Sequence, residues 1–176
     1  MSDELGSIIL ESMRTRITKA FPDQIRHCLD QLTDDEIWSR PNESSNAVGN
    51  LVLHLSGSLD HFLNRALGSL EFKRDRPAEF AERKRIPRDE LRKRFDSMVA
   101  NAEKTFASLS PARLTDPSPE PKLNRYVVED LVGVATHMAT HTGQILWITK
   151  MIRAGGLDDL WMKTHRESGA WPTKSQ

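Results

Sequence analysis

The chain has 176 residues, of which 38% are hydrophobic and 28% charged, close to the globular average, which excludes a disordered chain or a fibre. Lys plus Arg and Asp plus Glu total 25 each, a formal charge of zero without the basic bias of a dedicated nucleic-acid binder. A single cysteine, Cys28, excludes an internal disulfide, a CxxC redox pair and a cysteine-rich zinc finger.

This length predicts one domain over residues 1–176 with a short C-terminal extension, and a core large enough to fold without a structural metal. Any metal is then expected to be functional. Met1 to Gly6 begins acidic with no signal-peptide pattern, and no stretch approaches the ~18 apolar residues of a membrane span. With one cysteine besides, a cytoplasmic protein with no membrane partner is expected.

In chain order, Leu5, Ile8, Ile9, Met13, Ile17, Phe21, Ile25, Cys28, Leu29 and Leu32 recur at three- and four-residue steps and predict one long amphipathic helix, with a kink at Pro22. Thr33 to Glu36 has capping-box spacing and opens a short turn carrying Ile37 and Trp38. A second helix is predicted from about Asn46, its cap, to Leu67, with Gly68 just beyond. The segment 71–94 then holds ten of the basic residues against six acids. Such a run reads first as a solvated helix and loop, and otherwise as a surface that steers an anionic cosubstrate. Acids interrupt it and no reading motif accompanies it, so no nucleic-acid partner is expected.

A third helix has Pro87 in its first turn and an apolar stripe of Leu91, Phe95, Met98, Ala102 and Phe106. Pro111, Pro117, Pro119 and Pro121 enforce a connection, and a fourth helix runs from about Tyr126 to Ala154, ending at Gly155-Gly156. In the tail, Trp161 and Trp171 are expected to pack on the helices. Four helical patterns without a comparable alternating pattern predict an all-α fold of the four-helix-bundle type.

The chemistry concentrates in His137-Met-Ala-Thr-His141, because residues four apart share a helical face and two imidazoles there can converge on one ion. A catalytic zinc-type site takes three protein ligands, and His54 in the second helix is the best third donor. Asp130, His137, His141 and Gln144 form one polar stripe, and His54, Gly57, Ser58, His61 and Arg65 another. If the stripes face each other, Gly57, Gly133 and Gly143 would let the backbones approach, and Asp130 and Gln144 would orient the ligating imidazoles. If both stripes face solvent there is no site. His61 reads first as a solvated histidine, and His27 and His165 have no matching partners.

The segments Asn46-Ala-Val-Gly-Asn-Leu-Val-Leu-His54-Leu and His137-Met-Ala-Thr-His141-Thr-Gly-Gln-Ile145 resemble the single His and the HxxxHxGQ element of the DinB-like superfamily of metal-binding four-helix bundles. The resemblance spans nearly the whole chain. It implies a four-helix bundle of DinB-like type, a divalent ion, nickel or zinc, at His54, His137 and His141, and a homodimer. It also implies a transferase using a low-molecular-weight thiol, or a hydrolase, on a small-molecule substrate; the alternative is a non-catalytic metal-binding stress-response or sensor protein. Met138 stands where zinc proteases carry their Glu base, which disfavours a protease, and no general acid or base is identifiable from the residues alone.

Overall fold

The computed structural model describes residues 2–120, 124–154 and 157, and it is all-α. In order, the elements are α1 (Ser2–Thr15), a π-helical segment (Arg16–Ala20), α2 (Phe21–Gln31), α3 (Asp34–Ile37), α4 (Val48–Leu59), a second π-helical segment (Asp60–Arg65), α5 (Arg76–Ala81), α6 (Arg88–Ser108), a 3-10 turn (Pro111–Thr115) and α7 (Val127–Ile152). The only β pairing among the described residues is an isolated antiparallel bridge between Pro117 and Tyr126.

The expected first helix is therefore two α-helices joined through a wider turn. The Phe21 N–H reaches back to the Arg16 carbonyl, one residue further than in an α-helix, and Pro22, which has no N–H to give, is the second residue of the next segment. The second helix widens in the same way. Leu55, Leu59, Leu63 and Leu67 are all buried at steps of four, and a turn longer than 3.6 residues keeps such a series on one face.

Helix boundaries correct three cap assignments. α4 begins after Ala47 rather than Asn46, and the Asn50 side-chain oxygen accepts the Ala47 N–H at 3.3 Å. Pro87 sits at the cap of α6 and not in its first turn, and α7 ends at Ile152. The capping box at Thr33 and Glu36 forms as its spacing predicts. Gly155-Gly156, Trp161, His165 and Trp171 lie outside the described residues.

α7 packs on α2 and α4, and α4 on α6 and α5. The core runs between them through Ile17, Ile25, Leu29, Leu51, Phe95 and Met98, with Met138 of α7 fully buried in it. Two polar devices fix the part of the chain that bears on the site. The Trp38 indole N–H donates to the Ile86 carbonyl at 2.9 Å, and a Cβ on Gly49 would lie 2.7 Å from that ring, so only glycine lets the indole lie on α4. Buried Asn50 donates to the carbonyls of Glu79 (3.1 Å) and Glu82 (3.2 Å), tying α5 to α4. No helix among the described residues is long and apolar enough to cross a membrane.

Candidate metal centre

Packing of α4 against α7 brings His54 to the i, i+4 pair His137 and His141. Their ligand nitrogens all lie within 4.8 Å of one another, with Nε2 of His137 at 3.0 Å from Nε2 of His54 and 3.2 Å from Nε2 of His141. Imidazole nitrogens about 2.0–2.1 Å from one ion lie roughly 3 to 3.5 Å from each other, so these spacings suit a shared cation.

Proton counting strengthens that fit. Arg74 donates through Nε and Nη2 to the two oxygens of Glu79, at 2.7 and 2.8 Å, and a carboxylate so bound has only acceptors to offer. The His54 Nδ1–H therefore donates to Glu79 Oε2 at 2.8 Å, which leaves a lone pair on Nε2. His141 is oriented alike, its Nδ1–H donating to Gln144 Oε1 at 2.7 Å. Two lone pairs thus face the His137 Nε2, which carries at most one proton. A cation between the three rings satisfies all of them; protons alone leave one close contact without a hydrogen.

The electrostatics keep the site ready for a cation. Burial, then the neighbouring His141 and His54, push the His137 pKa down to about 4. Burial also lowers that of His54, against the opposing pull of Glu79. Both imidazoles are then neutral near pH 7, the form in which they ligate. Phe80 of α5 covers the His54 ring with centroids 4.5 Å apart, and the Arg74 guanidinium lies 5.7 Å from the Phe62 ring centre.

Several expected roles change. Gln144 orients an imidazole, but Asp130 does not: it is buried and bonded to Arg125. Gly57 opens space for a side chain rather than a backbone, since a Cβ there would lie 2.2 Å from Glu79 Oε1. Gly133 and Gly143 have open space where a Cβ would be, so neither serves a close approach. His61 is half-buried rather than solvated, and its Nδ1 has no hydrogen-bond partner among the described residues. Cys28 is buried, and burial pushes its thiol up to about 11, which makes it a poor nucleophile.

Sequence reasoning missed Glu79, Arg74 and Phe80. They lie in the charge-rich segment 71–94, and nothing local in it points to a histidine 25 residues earlier. Part of the basic excess is consumed by acids outside the segment, Arg85 pairing with Asp35 and Arg92 with Asp30 and Asp96.

A cavity of about 450 Å3 opens beside His54 and His137. A larger one, about 670 Å3, lies on the other side of Glu79 and touches none of the three histidines, so its size does not make it the reacting site. A family model described as a protein of unknown function, DUF1572, matches residues 4–164. No curated protein and no solved structure matches the chain.

Proposed function

The chain belongs to the DUF1572 family of proteins of unknown function, and from its own residues we propose a divalent-metal-binding protein that acts as a metal-dependent transferase or hydrolase on small molecules. The ligands are His54, His137 and His141, and the ion is nickel or zinc, both of which suit imidazole donors. The observation that carries this reading is the convergence of three Nε2 atoms of which two, by their Nδ1 partners, present lone pairs.

The cluster brings together three histidines, the ligand count of a catalytic site that keeps a fourth position open. When bound, a divalent ion held by three neutral imidazoles supplies Lewis acidity, sufficient to bring the pKa of a water towards ~7 or to deprotonate a thiol. The chain's own groups do the rest: Glu79 and Gln144 fix the tautomers of His54 and His141, Arg74 fixes Glu79, and Phe80 screens the His54 ring from water. Since Cys28 is buried and weakly acidic, a reacting sulfur would belong to a low-molecular-weight thiol substrate.

The finer architectural reading is a four-helix bundle of DinB-like type, supported by the packing of α2 on α7, α7 on α4, α4 on α6 and α6 on α2. A homodimer through α7 is in keeping with the exposed Val132, Trp147 and Met151 along that helix.

Elemental analysis of protein purified without a histidine tag tests the assignment. About one ion per chain is expected, with loss of metal when His137 and His141 are both changed to Ala. Unchanged metal content in that variant would place the ion elsewhere.

A further inference from the structure

The cavity beside the histidines carries a charge that the metal ligands do not use. Its volume of about 450 Å3 falls within the roughly 300–1,000 Å3 of small-molecule pockets, and His54 and His137 form part of its wall. Three arginines line it, Arg74, Arg76 and Arg125. Arg74 is neutralised by Glu79 and Arg125 by Asp130.

Arg76 differs from both. Its guanidinium lies 5.0 Å from the centre of the Phe80 ring, and among the described residues no carboxylate pairs with it. Phe80 in turn covers His54, so the uncompensated cation and the histidine cluster are held on the same aromatic ring. Leu59, Phe62 and Val134 supply apolar wall between the polar groups. A free planar fork at the edge of a partly apolar pocket favours a carboxylate, which it can bind through two parallel N–H bonds.

We infer that the cavity binds a small organic carboxylate with an apolar or aromatic body, gripped at its charged end by Arg76 and lying along Leu59, Phe62 and Val134. The inference deepens the proposed function by naming a substrate class, and rests on that reading only in making the histidine end the reacting end. Arg76 is a specificity residue, outside the metal ligands and outside the Arg74–Glu79 support of His54.

Calorimetric titration of the full chain with benzoate and with benzamide, nearly the same shape with and without the charge, tests it. Benzoate is expected to bind at least tenfold more tightly than benzamide. Arg76→Gln should lower benzoate affinity about three- to tenfold, Arg76→Lys should restore part of the loss, and metal content should be unchanged in both. The His137→Ala/His141→Ala protein separates the two claims, because the Arg76-dependent preference for benzoate should persist there. Equal binding of the two probes, or undiminished benzoate affinity in Arg76→Gln, overturns the carboxylate site. A chain that purifies without metal yet keeps the Arg76-dependent preference overturns the metal reading alone.

Discussion

Gly57 decides whether the carboxylate behind His54 can exist. A Cβ at that position would lie 2.2 Å from Glu79 Oε1, which is the end of a side chain and can move, so the fold should tolerate alanine while the carboxylate is displaced. Glycine within a helix costs about 0.5–1 kcal/mol relative to alanine, but displacing Glu79 breaks its buried pair with Arg74, so Gly57→Ala should lose stability overall. Its metal affinity should also fall about ten- to a hundredfold, the usual effect of losing an imidazole's outer hydrogen bond. A competition titration with a chromophoric chelator, run beside a urea melt, separates the two effects; unchanged affinity would show that Glu79 does not orient His54. Thr142 poses the opposite case. Its hydroxyl is buried in α7 without a partner among the described residues, so Thr142→Val should raise stability by roughly 1 kcal/mol, and a lower urea midpoint would reveal a partner.

Among the elements, α3 shows how far a short sequence signal reaches. The Thr33 hydroxyl accepts the Glu36 N–H at 3.3 Å, while Glu36 takes the Thr33 N–H at 2.8 Å and the Arg153 guanidinium at 2.7 Å, linking the cap to the end of α7. Thr33→Ala should cost about 1 kcal/mol in chemical denaturation, as lost caps do. That capping box was legible because all its partners lie within four residues. The apolar faces of α2, α4, α6 and α7 were legible for the same reason, since a repeat is a local property. The two π-helical segments were not: steps of four at Ile17, Phe21 and Ile25 look like ordinary helix until Pro22 and the core fix the phase. α5 escaped altogether, because six residues are too few to show a helical repeat and are held by Asn50, about 30 positions earlier. The candidate site divides along the same line. His137 and His141 announce themselves by spacing and His54 reads as the best third donor, which the packing of α4 on α7 brings to them, whereas Glu79 and Arg74 became visible only once α5 was placed.

The whole molecule should be more sensitive to mild acid than its zero net charge suggests. His54, His61 and His137 all have pKa values lowered, chiefly by burial, with that of His137 at about 4 against an ordinary value near 6.5. For a histidine depressed in this way the unfolded chain binds the proton first. Between pH 6.5 and about 4 the unfolded state therefore holds more protons than the native state, and metal-free stability falls as the pH is lowered through that window. Two carboxylates extend the loss further down. Burial pushes Glu103 up, but hydrogen bonds from Thr18 and Arg14 and the nearby positive charges together hold it low, and the Thr33 N–H holds Glu36 low; each stabilises above its unfolded pKa of 4.5 and stops doing so as its lower folded pKa is passed. Asp60, raised by burial, acts in the opposite sense. Acid loss should thus begin with the histidines, above the carboxylate range. Urea unfolding of metal-stripped protein at pH 7.5, 6.0 and 5.0 is expected to show a declining free energy, with a shallower decline in His137→Gln, which has no imidazole to protonate. Equal slopes in the two proteins would mean that the buried cluster takes up its proton as readily when folded as when unfolded.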